Sequence, residues 1–372
     1  MQRLLFAWWT LELTDSPYLL GIVQALTMLP MVLGIASGIV IDRFDRRKVL
    51  IVAESLSLAS SLPLAILVIL GVFQFWQIMV ASFISGLAFT FSFSARGALL
   101  PDLVKKNEIV KAMSFLMIFW NGATILGPYA GGILLGSIGY AGCFAFLAAT
   151  FALEVLILLF IPSSKPQPPT GRSIIKELVA GSRYIAHNQG ILAILVMSAL
   201  WNLLITPSQM TLTPLFVRNV LGLDAVALGA LQGGIGVGAL LSSVFLMTLK
   251  NFKRSGLMAI VNSGLVGLFF VLLSISRSFI IAMVLLILIG FVNALINTMS
   301  QTPLLVHTPD DKRGLVMGMR GQAIATMPVG SLMVGIEAGT IGVPLTFVLC
   351  GVSYASIMMG MAALAPHFRK ME

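Results

Sequence analysis

What this sequence has least of is charge. Asp, Glu, Lys and Arg together make up 10% of its 372 residues, against 58% hydrophobic residues. A soluble domain of that length carries far more charge on its surface, so a water-exposed globule is excluded. Cysteine is almost absent: Cys143 and Cys350 both lie in apolar stretches. They offer neither a disulfide framework nor metal-ligand spacing and read as small buried apolar residues. The histidines, His187, His307 and His367, fall in polar connections or the tail. They read as solvated and give little support to a histidine proton relay. The phosphate-cradling motif G-x-x-x-x-G-K-[ST] does not occur, which argues against an ATP-driven pump on this chain. No catalytic constellation is present, so no enzyme activity and no cofactor are expected. The apolar–polar alternation of a membrane barrel is missing too, which leaves helices.

What is present is apolar sequence in long runs. Mean hydropathy is +1.01, and stretches of membrane-spanning length recur along the whole chain. They cover 17–41, 48–72, 75–98, 110–136, 140–162, 190–216, 226–249, 256–275, 278–302, 314–338 and 342–365. Gly, Pro or charge marks the short connections between them.

Between the first two of these stretches lies Gly38-Ile-Val-Ile-Asp42-Arg43-Phe44-Asp45-Arg46-Arg47-Lys48. Six of the seven residues from Asp42 to Lys48 are charged, and four of those are basic. A short basic loop between spans belongs on the cytoplasmic side. The spacing G-x-x-x-D-R-x-x-R-R resembles the helix 2–3 loop signature of the major facilitator superfamily, with Asp45 where many members have glycine. The form D-R-F-D-R-R is similar to the branch of enterobactin-type exporters and macrolide efflux proteins. The resemblance implies an all-α membrane protein with the major facilitator fold, two six-helix halves around a cavity lined by helices 1, 4, 7 and 10.

The net charge of +9 follows this topology. With Asp42–Lys48 inside, alternation also places Lys105, Lys106, Lys111, Lys165, Arg172, Lys176, Arg183, Lys250, Lys253, Arg254, Lys312, Arg313, Arg369 and Lys370 inside. The outer loops receive Arg218 and Arg277. This is the positive-inside rule, with some affinity for anionic lipid headgroups, and no nucleic-acid partner is implied.

An internal repeat supports two halves. Leu20-Gly21-x-x-Gln24 recurs as Leu228-Gly229-x-x-Gln232, and Asp42-Arg43-Phe44-Asp45-Arg46 as Lys250-Asn251-Phe252-Lys253-Arg254. Pro128 has a counterpart in Pro328. The expected organisation is an N-terminal transmembrane half over 1–162, a proline-rich cytoplasmic linker with a short amphipathic helix over 163–189, and a C-terminal half over 190–372. Before Asp15 only Met1 to Leu13 is apolar, about 20 Å of helix against a hydrocarbon core of about 30 Å. Trp9 to Pro17 resembles the outer end of helix 1 and its following loop. The chain therefore reads as entering partway along helix 1, from a shortened gene model or a late start codon. In the family, the preceding half-helix carries a Gly-Asp pair facing the cavity.

Several residues are candidates for function. By the resemblance, Gly38, Asp42, Arg43, Arg46 and Arg47 form a gating loop, with the Asp42 carboxylate near the N-terminus of helix 11 at Arg313-Gly314, where the helix dipole favours an anion. Ser94-Ala-Arg96-Gly-Ala-Leu-Leu-Pro101 resembles the family's ending of helix 4 and makes Arg96 a second gating candidate. Gly127-Pro128-x-x-Gly131-Gly132 in helix 5 resembles the G-P-x-x-G-G end of an exporter motif, a hinge or a close-packing seam. Topology anchoring and ordinary small-residue packing are the structural alternatives. Glu54 and Glu154 are acids inside spans and hence coupling candidates, whereas Glu337 reads as a solvated rim residue. Polar residues repeat on one face of two helices: Asn202, Thr206 and Gln209, and Asn293, Asn297 and Gln301. With Ser85 and Ser92 on helix 4 these are cavity candidates, interhelical hydrogen bonding being the alternative. Trp120, Trp201 and abundant Met and Phe suit bulky amphipathic cargo better than sugars.

The expectation is a multi-pass inner-membrane secondary transporter with a cytoplasmic C-terminus, monomeric and in contact with lipid. It would use the proton gradient to export drug-like or siderophore-like small molecules. An uptake permease of the same fold and a non-transporting relic remain alternatives.

Overall fold

A computed structural model describes residues 1–163, 188–248, 255–308 and 310–364. Among them there are helices and no strands, as required where hydrocarbon leaves backbone polar groups no outside partner. Eight helices are long and apolar enough to cross a membrane, and the bent pair Pro17–Leu33 and Ala36–Arg43 makes a ninth. Large apolar side chains such as Ile69, Phe119, Phe160 and Ile280 are exposed on the outside of the bundle, which is where lipid lies.

In the N-terminal half, α1 is Gln2–Thr14, α2 Pro17–Met28, α3 Gly34–Arg43, α4 Arg46–Ile69, α5 Phe75–Leu103 and α6 Ile109–Leu158. Helix starts follow capping chemistry: the Ser16 side chain accepts from Leu19 N–H ahead of Pro17, and Asp45 accepts from Arg47 N–H. Helices α2 and α3 form one bent span, joined by the 3-10 turn Leu29–Leu33 around Pro30. Proline has no N–H to give, so the α ladder is broken there. Helix α6 has 50 residues, about 75 Å if straight, and therefore crosses twice. It reverses at Gly139, whose φ of 64° and ψ of −174° only glycine adopts without strain. The expected break between 136 and 140 lies at that residue.

In the C-terminal half, α7 is Gln189–Leu200, α8 Thr206–Leu215, α9 Ala225–Thr248, α10 Ser255–Ile275, α11 Phe279–His307, α12 Asp310–Gln322, α13 Met327–Thr340 and α14 Val343–Leu364. The expected span 190–216 is α7 and α8 joined by the π-turn Trp201–Ile205, with a second π-turn at Phe216–Val220. The span 314–338 is α12 and α13 with the 3-10 turn Ala323–Thr326 between them. The expected linker lies almost wholly outside the described residues.

The two halves meet at seams too tight for a side chain. A β-carbon on Gly229 would lie 2.5 Å from the Pro128 carbonyl oxygen, and one on Gly132 2.5 Å from that of Ala225. In the other seam, a β-carbon on Gly21 would lie 2.8 Å from the Ser331 oxygen and 2.9 Å from Gly335 Cα. Gly21 and Gly229 are the glycines of the internal repeat, so each half presents the same repeat position to the other. Backbone approach of this kind is how membrane helices gain dispersion energy without a hydrophobic driving force. Arg218 Nη2 also lies 3.3 Å from Asp15 Oδ1 across the halves, at the same end of the bundle.

These seams make a prediction. Gly229→Ala lowers the thermal stability of the detergent-solubilised protein. Gly264→Ala, where a β-carbon meets nothing within 4 Å, leaves it unchanged or raises it by up to ~1 kcal/mol through helix propensity. Equal effects at the two positions would remove the seam.

Candidate functional site

A cavity of about 610 Å³ lies between the halves. Its wall includes Gln2, Arg3, Gln24, Ser85, Phe89, Ser92, Arg96, Trp120 and Pro128 from the N-terminal half, and Gln209, Gln232 and Asn293 from the other. A second cavity of about 400 Å³ lies within the C-terminal half, lined among others by Trp201, Asn202, Thr206, Asn293, Asn297, Ser300 and Arg320. Asn293 borders both.

One charged cluster stands at the larger cavity, with Glu54, Ser92 and Arg96 in its lining and Glu154 reaching Arg96 from outside that lining. On α5, Ser92 and Arg96 are one helical turn apart, and Arg96 Nε donates to Ser92 Oγ at 3.0 Å. Arg96 Nη2 donates to Glu54 Oε1 on α4 at 2.8 Å. The same nitrogen donates to Glu154 Oε1 on the second arm of α6. Ser92 Oγ in turn donates to Glu54 Oε1. Glu54 is sealed off at 2% side-chain exposure, whereas Glu154 keeps 29% and Arg96 40%. One guanidinium thus serves two carboxylates, leaving the ionised cluster with one negative charge. Such a residue is costly to keep where dielectric is low.

The structure gathers Glu54, Glu154, Arg96 and Ser92, residues from three spans, into one unit. Each was suggested separately by the sequence, but periodicity within a helix says nothing about which helices face each other. Ser85 Oγ donates to Gln2 Oε1 at 2.8 Å, and Gln2 Nε2 donates to Ser60 and Ser61 at 3.1 and 3.2 Å. The face shared by Asn202, Thr206 and Gln209 is split: Asn202 and Thr206 line the smaller cavity and Gln209 the larger. Asn293 and Asn297 reach the cavities, with Asn297 Nδ2 donating to Asn293 Oδ1 at 3.0 Å. Gln301 is exposed and lines neither.

The helix 2–3 loop divides in two. Asp42 and Arg43 are exposed at the end of α3, and the side chains of 310–315, toward which Asp42 was expected to point, lie outside the described residues. Gly38 has no neighbour within 4 Å of a β-carbon position. Arg46 and Arg47 tie their own half together. Arg46 Nη1 donates to Asp102 Oδ2 at 2.7 Å and to the Ala98 carbonyl at 3.0 Å. Arg47 donates to the carbonyls of Leu158 and Leu159 at 2.8 and 2.6 Å, at the end of α6. In the helix 5 motif, Gly127 and Gly131 face Met1, while Pro128 and Gly132 form the seam with α9. Glu337 is half-buried rather than a fully solvated rim residue, with the Cys350 thiol 3.7 Å from its Oε2. Both cysteines are free and buried, as expected.

Sequence reasoning passed over Gln2, Arg3, Gln24, Gln232 and Arg320. A signal was available: Arg3 and Arg320 are cations inside apolar runs rather than in basic loops. Gln24 and Gln232 are paired by the internal repeat, and Gln24 Nε2 donates across the halves to the Met210 carbonyl at 3.1 Å.

Removing Arg96 strands a buried carboxylate. Arg96→Met therefore lowers stability in a thermal melt by about 1–3 kcal/mol, and adding Glu54→Gln restores part of it. An additive loss in the double variant would mean that the two side chains are not coupled. At the loop, Asp102→Asn costs roughly 1.5–3 kcal/mol, the worth of a hydrogen bond to a charged group. That cost shrinks when Arg46 is already Met.

Known proteins place this architecture. Enterobactin exporter EntS of Shigella boydii serotype 4 (strain Sb227) is 24% identical over 327 residues, 87% of this chain and 77% of the exporter. The enterobactin exporter EntS of Escherichia coli O1:K1 / APEC is 24% identical over 325 residues, with the same coverage. Among solved structures, a peptide transporter POT in complex with sulfate superposes with a TM-score of 0.77 at 12% identity, over 100% of this chain and 92% of that one. The human organic anion transporter MFSD10 (TETRAN) gives 0.64 at 16% identity, over 92% and 84%. Identities this low show the fold alone. The family described as transmembrane secretion effector matches residues 1–372, and the chain belongs to this family of major facilitator transporters.

Proposed function

We propose that this transporter is a proton-coupled exporter of amphipathic small molecules, working by alternating access in the bacterial inner membrane as a monomer with its C-terminus in the cytoplasm. The observation that carries the reading is the Glu54–Arg96–Glu154 cluster, whose Glu54 and Arg96 line the cavity. With both acids ionised the cluster holds one excess negative charge, and one proton removes it. A site with that balance can alternate between a charged and a neutral state as the halves rock. Glu54, sealed and bonded to both Ser92 and Arg96, fixes the guanidinium. Glu154, the more accessible acid, is the proton carrier in this reading.

The cavity supports an amphipathic cargo: Phe89, Phe93 and Trp120 supply aromatic surface beside Gln24, Gln209, Gln232 and Asn293. With the Asp42 loop facing the cytoplasm, the end sealed by the glycine seams and the Asp15–Arg218 pair is the outer one. The enterobactin exporters among its relatives support export as the direction. The domain division proposed is 1–162, 163–189 and 190–372, and the energy source is the proton gradient, with no cofactor.

Proteoliposomes with an imposed pH gradient test this. Glu154→Gln is expected to lower gradient-driven efflux of a catecholate siderophore by about five- to 150-fold, the span of a 1–3 kcal/mol coupling free energy. Exchange of labelled for unlabelled cargo without a gradient persists, because it needs no net proton movement. Undiminished gradient-driven efflux in both Glu154→Gln and Glu54→Gln would contradict the reading, and gradient-driven accumulation would make the protein an uptake permease.

A further inference from the structure

Two arginines that the coupling cluster does not use face the cavities with hydrogen-bonding capacity left over. Arg3 lines the larger cavity, its Cζ 4.7 Å from the centre of the Phe89 ring. Its Nη2 is buried with no hydrogen-bond partner. Arg320 lines the smaller cavity, with Nη2 donating to Asn297 Oδ1 at 3.2 Å and to Ser300 Oγ at 3.1 Å. Its Nε is likewise buried and unpartnered. Among the described residues no carboxylate pairs with either arginine. Glu54 and Glu154 are both committed to Arg96, Asp15 to Arg218, and Asp102 to Arg46. The linings hold Arg3, Arg96 and Arg320 against the one carboxylate Glu54, and counting Glu154 behind Arg96 still leaves the side chains positive by one charge with both acids ionised.

A buried guanidinium donor without an acceptor is expensive, and a planar fork of donors matches a carboxylate or similar oxyanion. The aromatic ring under Arg3 holds the guanidinium in place without consuming its donors. We propose, resting on the exporter reading above, that the cargo carries an anionic group on an apolar aromatic body. Arg3 and Arg320 are the seats for that group, one in each half of the protein. An anion at the Arg3 seat, its apolar body against Phe89 and Trp120, satisfies the orphaned donor there, and one at Arg320 does the same in the smaller cavity. A cationic cargo leaves them unsatisfied and meets a lining of its own sign. The two seats belong to cavities that share Asn293 in their walls, so cargo can pass from one to the other as the halves move.

The test uses the full chain in lipid nanodiscs and three probes of one shape: 2-naphthoate, its neutral amide and 2-naphthylmethylammonium. Equilibrium binding by calorimetry is expected to rank them in that order, with naphthoate about tenfold or more tighter than the amide, as a charge-assisted bidentate contact predicts. Arg3→Gln and Arg320→Gln each reduce naphthoate affinity several-fold and leave the amide unchanged, which also shows that the variant is folded. Arg3→Lys and Arg320→Lys retain part of the naphthoate preference. Equal binding of naphthoate and amide, or equal loss of both in the glutamine variants, overturns the proposal. Gradient-driven efflux measured on the same preparations separates the two ideas. A naphthoate preference that depends on the arginines but comes without efflux upholds the anion seats and removes the exporter. Efflux of the amide without dependence on either arginine upholds the exporter and removes the seats.

Discussion

The constraint on which this protein rests is that hydrocarbon offers no hydrogen bonds. Every backbone group in a span must be satisfied by its own helix, and regularity can be given up only where protein or water supplies the missing partner. The irregular points obey that rule. The π-turn at Trp201–Ile205 borders the smaller cavity, with Trp201 and Asn202 in its lining. The 3-10 turn at Ala323–Thr326 is anchored by Thr326 Oγ1 donating to the Ala199 carbonyl at 3.1 Å. Pro128 sits where its carbonyl packs against Gly229. Broken helices therefore mark the functional interior, while the unbroken faces are given to lipid.

The same constraint decides how polar side chains are used. With water excluded, a charge is kept only if it is paired or has work to do. Arg46 and Arg47 are paired structurally, stapling the start of α4 to the ends of α5 and α6. Arg96 is paired with more acid than it can neutralise, and Arg3 and Arg320 with less acceptor than they can use. A surplus of negative charge in one place and of donors in two others is what the proposed exchange with protons and cargo would use. In the proposed alternating access the glycine seams would be the rocking surface, since contacts between backbones without interlocking side chains can slide or part with little rearrangement.

Much of this was legible in the sequence. The spans, the basic loop, the internal repeat and the turn near Gly139 follow from hydropathy and punctuation. The family follows from Gly38 to Lys48. Glu54, Glu154, Arg96 and Ser92 could each be named, because polar residues in apolar runs stand out. Their meeting could not be, because the angle at which α4, α5 and the second arm of α6 face one another is a tertiary property. Gln209 shows the opposite failure: residues that share a helix face with Asn202 and Thr206 need not share a cavity, because where one cavity ends and the next begins is set by the neighbouring helices. Arg3 was overlooked because it sits near the start of a short apolar segment, where a basic residue reads as a flank. Arg320 was overlooked because the count of basic residues was taken over loops.

The central claim is that the Arg96 cluster exchanges one proton as cargo comes and goes. The most direct measurement is the change in proton binding when saturating cargo is added to the purified protein in weakly buffered solution, followed with a pH indicator. Close to one proton displaced per protein molecule is expected in the wild type, and none when Glu154 is glutamine. No proton change in the wild type while cargo binds, or the same change with and without Glu154, would contradict the claim.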